Sequence, residues 1–237
     1  MKWMTWVEQL SIGMNNSASG HGVDVGRWRQ LQLRAPSLTP DERWRAFAAA
    51  LDRLASLQWR GRVWLNPGEN GLVAIKRGIA SRLGTPRRVR GVRSDTGSED
   101  DGRAHQWPAL GWHLPEAVWR KIGSQIENCL SVKQGASAER ALPFMVAVHD
   151  RGALAEIEKL PLRARPLAVT LGPVCSTQTH PGAAVLGPRT FARWVRESPV
   201  PVYALGGLSP AVVEVWQRLG AQGVAGIRAF WSESSGR

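Results

Sequence analysis

The chain has little cysteine and no long uninterrupted apolar run. Only two cysteines occur among its 237 residues, Cys129 and Cys175, and they form no CxxC pair. This excludes the paired-cysteine motifs of zinc ribbons, iron–sulfur sites and thioredoxin-like centres, and it favours a reducing compartment. No segment approaches the roughly 18 apolar residues of a membrane-spanning helix, and Glu8 interrupts the apolar start that a signal peptide would need. We therefore expect a cytoplasmic protein without a membrane partner.

Lysine is also scarce, although the chain is strongly basic. It has 31 Lys and Arg against 19 Asp and Glu, a formal net charge of +12, and only five of these cations are lysines. The charge favours anionic partners, either nucleic acid or phosphorylated small molecules, although base composition can produce the same arginine excess. Tryptophans could stack on bases, but Trp44, Trp194 and Trp216 fall at core or half-buried positions of the apolar pattern. Nucleic-acid binding is therefore the lesser hypothesis.

What the chain has in abundance is short apolar strands that alternate with amphipathic helices. The clearest helix, predicted over 40–57, begins with a capping box at Thr39 and Glu42 and with Pro40 in its first turn. Apolar strands separated by helices indicate a parallel sheet with both faces covered. About eight βα units in this length predict a single (β/α)8 TIM barrel over residues 1–237, with a doubly wound sheet as the competing fold. The predicted strands lie near residues 3–8, 29–34, 61–66, 109–114, 142–149, 166–172, 201–206 and 223–228.

Two segments interrupt this rhythm. Residues 10–28 do not have the pattern of a normal first helix, so the N-terminal unit is predicted to be irregular. Residues 84–106 are rich in glycine, serine and charge, and we expect a solvated, mobile insertion there. Its cluster of arginines at 87–90 could contact nucleic acid, but the acidic residues 99–101 offset that charge.

Three stretches lie where predicted barrel strands end at their carboxyl side, which is the active-site face of this fold. Gly206 and Gly207 follow one strand, and Gly226 and Arg228 belong to the last one. A polar loop with Thr177, Thr179 and His180 follows the strand near 166–172. Paired glycines let backbone N–H groups approach an anion, and a helix starting near Ser209 and Pro210 would add its positive end. A phosphate site and simple tight turns are both open interpretations of the glycines.

Taken in order, these stretches resemble the thiamin phosphate synthase/TenI-type family. VTLGPVCSTQTHPGAAVLG (169–187), VPVYALGGL (200–208) and GAQGVAGIRAF (220–230) are similar to its last three strand-end motifs. LQLRAP (31–36), WLNP (64–67), GWHL (111–114) and VAVHD (146–150) resemble its earlier strand ends. The resemblance is strongest to the barrel domains fused behind Nudix hydrolases. It implies a (β/α)8 barrel, and synthases of this family join a pyrimidine diphosphate to a thiazole phosphate with Mg²⁺ on the departing pyrophosphate.

The chain departs from the family pattern at residues on which that chemistry depends. Pro67 and Val118 stand where the resemblance implies the two metal-binding aspartates, so no metal ligand is predicted. Glu116 and Asp150 are the nearest carboxylates that could replace them. Mg²⁺ is therefore expected only if synthase activity is retained. The other departures are Pro36 and His180 for two lysines, Ala147 and Arg228 for two serines, and Pro173 for the histidine base of TenI-type tautomerases.

The residues that do match can hold a phosphate and an aromatic heterocycle. Arg34, His149 and His180 are the candidate catalytic residues, and Arg228 is the candidate cation of the phosphate site. His180 is seven residues after Pro173 on the same loop, and a histidine is suited to proton transfer near neutral pH. An exposed or phosphate-binding His180 and a structural His149 are the alternative interpretations. The residues that match the family are Gln32, Arg34, Asn66, His113, His149, Thr177, Thr179, Gly206, Gly207 and Gly226.

The sequence thus favours a thiamin phosphate synthase/TenI-like barrel that binds a thiazole phosphate or thiamin phosphate. If it is active, the resemblance implies condensation of hydroxymethylpyrimidine diphosphate with thiazole phosphate. The alternatives are a catalytically degenerate ligand-binding or regulatory barrel, a metal-free tautomerase-like enzyme and, less favoured, a nucleic-acid-associated protein. The expected partners are phosphorylated thiazole or pyrimidine compounds, and a homo-oligomer is compatible with the sequence.

Overall fold

The computed structural model describes residues 3–7, 30–59, 61–83, 107–126, 130–134, 138–177 and 182–226. The predictions of an irregular N-terminal unit at 10–28 and of a polar insertion at 84–106 lie outside the described residues.

One parallel sheet organises the described chain. Its neighbours run in the order β1-β10-β9-β8-β7-β4-β3-β2, and β1 pairs in parallel with both β2 and β10. A separate antiparallel hairpin is formed by β5 and β6. The strands are β1 (Trp3–Val7), β2 (Gln30–Leu33), β3 (Arg62–Leu65), β4 (Ala109–Leu114), β5 (Ser131–Gln134), β6 (Ala138–Ala141), β7 (Phe144–Val148), β8 (Ala168–Leu171), β9 (Val202–Leu205) and β10 (Gly223–Gly226).

Helices connect most of the parallel strands along the chain. The first begins where the sequence predicts it, because Thr39 and Glu42 form a complete capping box. No helix within the described ranges has the length and apolarity needed to cross a bilayer. The α-helices are α1 (Pro40–Ser56), α2 (Leu72–Leu83), α3 (Glu116–Ile122), α4 (Arg151–Lys159), α5 (Gly187–Glu197) and α6 (Val213–Arg218).

The predicted α/β class with a parallel sheet is confirmed, and each predicted strand of that sheet has its counterpart in the structure. Helices α2 and α3 and the β5–β6 hairpin are not among the elements that the sequence analysis named. The helix expected near Ser209 is shorter than predicted, because Pro210–Val212 form a 3-10 turn and the α-helix begins only at Val213. The helical segment thus begins at Pro210, where the sequence predicts it, and its α-helical part has six residues.

The two-residue period of the strands separates two apolar clusters. Successive strand side chains point to opposite faces, so each strand contributes alternately to one cluster or the other. Leu31, Val63 and Val146 belong to the large cluster that includes the buried faces of the helices. Trp64, Met145, Ala168, Tyr203 and Ala225 form a second, smaller cluster within the sheet. The second cluster therefore marks the interior face of the sheet, on which the polar side chains described below also lie.

A polar bridge crosses this interior cluster. The Gln30 side chain accepts a hydrogen bond from Trp64 Nε1 at 2.7 Å and donates one to the Tyr203 hydroxyl at 3.0 Å. Both aromatic side chains thereby bury their rings without leaving these polar atoms unpaired. The bridge ties β2 and β3 to β9 across the interior.

We predict that Phe191→Ala lowers the free energy of unfolding by about 3–5 kcal/mol, because it leaves a cavity in the helix-facing cluster. Phe191 is fully buried, and its ring packs edge-on against Trp216 with centroids 4.9 Å apart. Equilibrium unfolding in urea measures the change. Leu162→Ala is the control, since that side chain is 81% exposed and its loss should cost little. Equal effects of the two substitutions would contradict this assignment of the core.

Candidate functional site at the carboxyl edge of the sheet

Several residues singled out by the sequence lie together at the carboxyl ends of the parallel strands. Arg34 directly follows β2, Asn66 follows β3 and His149 follows β7, while His113 is the penultimate residue of β4. Gly206 and Gly207 directly follow β9. Because the strands are parallel, their carboxyl ends meet at one edge, which is the face where ligands bind in parallel α/β sheets.

A buried chain of polar side chains spans three strands just below this edge. Gln32 Nε2 donates to His113 Nδ1 at 3.0 Å, and His113 Nε2 lies 2.9 Å from Thr170 Oγ1. All three side chains are fully buried. With Nδ1 accepting from the glutamine amide, the neutral imidazole carries its proton on Nε2 and donates it to Thr170.

The surroundings hold His113 in its neutral form. Burial is the main cause that lowers its pKa, and the nearby positive charges of Arg34 and then His149 oppose protonation further, giving a pKa of about 3. A histidine that stays neutral through the physiological range is a hydrogen-bonding group rather than an acid or base. His113 therefore orients its neighbours and does not titrate near pH 7.

One acceptor of this chain has no partner among the described residues. Gln32 Oε1 is buried, yet no donor of the described chain reaches it. An unsatisfied buried amide oxygen costs free energy, so such an atom suggests a missing donor from water or from a ligand. The sequence analysis named Gln32 as a ligand-binding residue, and this observation supports that hypothesis.

His149 is held by hydrogen bonds on two sides. Its Nδ1 lies 2.6 Å from the Gly172 carbonyl oxygen, and its backbone N–H donates to Glu116 Oε2 at 2.9 Å. Since a carbonyl only accepts, Nδ1 must carry the proton, which leaves Nε2 as the lone-pair nitrogen of the neutral ring. This tautomer is the one that a proton acceptor at Nε2 requires.

Asn66 stabilises the turn that follows β3. It is buried, and its Oδ1 accepts a hydrogen bond from the Gly68 N–H at 2.9 Å, which forms an Asx-type turn after β3. The Asn66 N–H in turn donates to Leu33 O at 2.9 Å and so extends the pairing of β2 and β3. Asn66 therefore shapes the loop at this edge as well as lying on it.

The two glycines after β9 permit a close approach of two loops. Gly206 and Gly207 have φ values of +105° and +65°, which side chains rarely adopt. A Cβ atom at Gly206 would come within 2.9 Å of Pro173, and one at Gly207 would overlap Ser176 O. The loop after β8, which also carries the half-buried Thr177, therefore packs directly on this turn. These contacts support the interpretation that the two glycines serve a tight turn. Phosphate binding at this turn stays a hypothesis.

Four further site residues complete the account of the predictions. Gly226 is the buried last residue of β10, at the same edge as the other strand ends. Thr179, His180 and Arg228 lie outside the described residues, so their predicted roles remain expectations.

Glu116 and Asp150, the two carboxylates named above as replacements for the missing aspartates, do not fit a magnesium site. Arg120 lies 3.1 Å from Glu116, 3.6 Å from Asp150 and 3.4 Å from Glu156, so one guanidinium pairs with all three. Asp150 Oδ1 also caps α4 by accepting from the Ala153 N–H at 2.8 Å. Within the described ranges, no three His, Cys, Asp or Glu side chains are grouped so that they could hold a metal ion. Mg²⁺ prefers free carboxylate oxygens, and here they already serve helix capping and ion pairing.

Sequence reasoning missed Thr170 as a member of this site. It lies in the apolar strand AVTL, where a single threonine carries no chemical motif of its own. Its inward register, two residues after Ala168 of the interior cluster, is the one signal that could have identified it. Arg43, whose role is described below, was missed because it belongs to a helix, and its contacts with the loops after β2 and β3 leave no local sequence pattern.

Comparisons with known proteins agree with this geometry. Residues 145–230 match the family model described as thiamine monophosphate synthase. The protein named "Putative thiamine-phosphate synthase 2" of Aquifex aeolicus (strain VF5) is 39% identical over 62 residues, which is 26% of this chain and 33% of that protein. The matched segment thus spans one third of that curated relative.

Two solved structures are similar in fold over nearly the whole chain. The thiamine phosphate pyrophosphorylase from Pyrococcus furiosus superposes with a TM-score of 0.55 at 13% identity, covering 99% of this chain and 96% of the other. The Haloferax volcanii malate synthase, as a lead(II) complex, gives a TM-score of 0.56 at 12% identity and covers 99% and 71% of the two chains. At such identities these likenesses show the fold alone.

The parallel sheet with a polar carboxyl edge defines the class, a barrel-like α/β protein. Within that class, the family match over β7 to β10 and the Aquifex relative are more specific. Residues 145–230 of the chain are thus similar to the thiamine monophosphate synthase family.

The buried His113 predicts a loss of stability in acid. Its pKa of about 3 is below the unfolded value of 6.5, so the unfolded state binds more protons between these values. Stability is then complete above about pH 6.5 and falls as the pH drops toward 3. Between pH 7 and pH 4.5 this term amounts to roughly 2–3 kcal/mol.

Urea unfolding at several pH values measures this dependence. His113→Gln should unfold with a weaker loss of stability in acid than the unsubstituted protein, because an amide does not titrate. His149→Gln, at an exposed histidine, is the matched control and should retain most of the dependence, because burial and Arg34 lower the pKa of His113 more than His149 does. If His113→Gln and the unsubstituted protein lose equal stability, His113 is not the buried neutral group described here.

Proposed function

We propose that this chain is a (β/α)8 barrel that binds a small phosphorylated thiazole, or thiamin phosphate, at the carboxyl edge of its strands. The pairing of β1 with both β2 and β10 supports the closed, eight-stranded form of the barrel. The family and the names of its relatives support the ligand class. The proposal includes one domain over residues 1–237 and a cytoplasmic location, with which the free thiol of Cys175 is compatible.

The observation that carries this proposal is the polar chain beneath the edge. Gln32, His113 and Thr170 are fully buried inside an otherwise apolar interior, and the Gln32 acceptor has no partner within the described ranges. Buried polar groups are costly unless they serve a hydrogen-bonding purpose. A heterocycle with a donor group would satisfy Gln32, and the half-buried cation of Arg34 nearby favours an anionic substituent on it.

In the proposed site, the phosphate binds between the glycine turn after β9 and the end of β10. Gly206 and Gly207 leave the main chain without side chains there, and Arg228 two residues beyond Gly226 would supply a cation. Thr177 and Thr179 of the loop after β8 would add hydroxyl groups. Asn66 and Arg34 would border the other side of the ligand.

A metal-free proton transfer is the second candidate function. It is favoured by the His149 tautomer, in which Gly172 holds the Nδ1 proton and Nε2 is free of a proton. Nε2 would take a proton from the bound ring, and His180 could return one at another ring position. Magnesium-dependent condensation is less favoured, since Glu116 and Asp150 are both paired with Arg120.

Arg228→Glu should abolish binding of thiazole phosphate and thiamin phosphate, because it replaces the cation of the phosphate site with an anion. Calorimetric titration of each ligand measures the affinity, and unphosphorylated thiazole should bind weakly to both proteins. Arg218→Glu is the matched control, since this exposed arginine ends α6 at the opposite edge of the sheet. Unchanged affinity in Arg228→Glu would show that this residue does not face the phosphate.

Formation of thiamin phosphate from the pyrimidine diphosphate and thiazole phosphate should be absent both with and without Mg²⁺. The reason is that Glu116 and Asp150, the two candidate replacements for the metal ligands, are already paired with Arg120. Chromatographic detection of product from the folded protein checks this expectation. Magnesium-dependent turnover would contradict it and would make Glu116→Gln and Asp150→Asn the next variants to assay.

A further inference from the structure

Arg43 is a buried arginine at the start of α1 whose donors all go to main-chain oxygens. Its side chain is only 6% exposed. Nε donates to Ala35 O at 2.8 Å, Nη2 donates to Leu38 O at 2.8 Å and to Pro36 O at 3.4 Å, and Nη1 donates to Pro67 O. The guanidinium therefore joins the loop after β2 to the loop after β3.

No carboxylate pairs with this cation among the described residues. Burying an arginine without a counter-ion is costly, and burial lowers its pKa, although a guanidinium stays charged under ordinary conditions. Four carbonyl dipoles offset that cost here. The guanidinium thus lies among carbonyl oxygens from two loops, as a bound metal cation does in other proteins.

Two glycines keep the space around the guanidinium free. A Cβ atom at Gly68 would lie 2.7 Å from Arg43 Nη1, and one at Gly71 would also lie 2.7 Å from it. Gly68 has a φ of +62°, so the turn after β3 brings its main chain against the flat guanidinium. The loop after β3 is thus built around this side chain.

The carbonyls that Arg43 holds belong to residues next to the candidate site. Ala35 directly follows Arg34, and Pro67 directly follows Asn66. Fixing these two peptide groups limits how far Arg34 and Asn66 can move, because each is followed directly by a residue whose carbonyl is anchored. Such support lowers the cost of ordering a site when its ligand binds.

We propose that Arg43 is a positioning residue that acts as a built-in cation, holding the ends of β2 and β3 so that Arg34 and Asn66 are placed for the ligand. The part of this inference that concerns the ligand rests on the proposed function. The part that concerns the two loops does not. The loops should loosen locally when the guanidinium is removed, and the ligand should then bind more weakly.

The first test measures amide hydrogen exchange in Arg43→Ala by mass spectrometry, without ligand. Exchange should become faster in peptides that cover residues 34–38 and 66–71 and should stay unchanged in 202–226. Arg53→Ala, at an exposed arginine on the same helix, is the control. Added guanidinium at low, non-denaturing concentration should restore slow exchange in Arg43→Ala, whereas the same concentration of urea should not. Unchanged exchange in the two loops would overturn the proposal.

A second pair of variants displaces the guanidinium without removing it. Gly68→Ala and Gly187→Ala place a Cβ at nearly the same positive φ, +62° and +66°, but the Gly187 position has nothing within 4 Å. Because φ is matched, the difference between the two variants reports the contact with Arg43. Gly68→Ala alone should accelerate exchange in both loops, including 34–38, which Gly68 does not adjoin in sequence. Equal behaviour of the two variants would count against the role of Arg43, even if Arg43→Ala fails to fold.

A third test measures the affinity of each variant for thiamin phosphate by calorimetry. Affinity should fall by about tenfold or more in Arg43→Ala, with recovery on adding guanidinium, as expected when support of a binding group is lost. Arg43→Lys should bind weakly too, because an ammonium cannot span four separated carbonyls. If the unsubstituted protein binds no thiamin phosphate, the proposed function fails, and the exchange measurements still decide the role of Arg43. If Arg43→Ala binds as tightly as the unsubstituted protein, the positioning role is wrong.

Discussion

The two-residue period of the parallel strands is the constraint on which the rest of this structure depends. Each strand must give alternate side chains to the helices, because their apolar faces need a partner. The remaining side chains necessarily face the interior, where β2 places Gln30 and Gln32 and β4 places His113. The helix-facing cluster is almost entirely aliphatic and aromatic, so it stabilises the fold. The interior face carries the buried polar groups Gln32, His113 and Thr170.

Burial and function are coupled in that interior. His113 is useful as a fixed, neutral hydrogen-bonding group because it is completely enclosed, and enclosure is what prevents its protonation. His149 is more exposed, and it is oriented by Gly172 and Glu116 instead of by burial. The two histidines at this edge of the sheet are thus fixed in different ways, since desolvation keeps His113 neutral and hydrogen bonds hold His149.

Most strands of the sheet were predictable from sequence because they are short apolar runs between turn signals, and β2 was predictable from its alternating pattern QLQL. The capping box of α1 was also predictable, because Thr39 and Glu42 form it within four consecutive residues. The β5–β6 hairpin was not, because SVKQ and AERA carry no continuous apolar signal. The candidate edge residues followed from strand ends and family resemblance. Thr170 and Arg43 depend on contacts between segments far apart in the chain, which no local pattern records.

Arg43 has a consequence for how this chain can vary. The guanidinium contacts only main-chain oxygens of Ala35, Pro36, Leu38 and Pro67, and every amino acid offers the same carbonyl. Substitutions at those four positions can therefore accumulate without disturbing the contact, as long as the backbone path is kept. Gly68 and Gly71 have no such freedom, because any side chain there would meet the guanidinium. The side chains at these four loop positions can thus vary, while the backbone path that Arg43 holds stays the same.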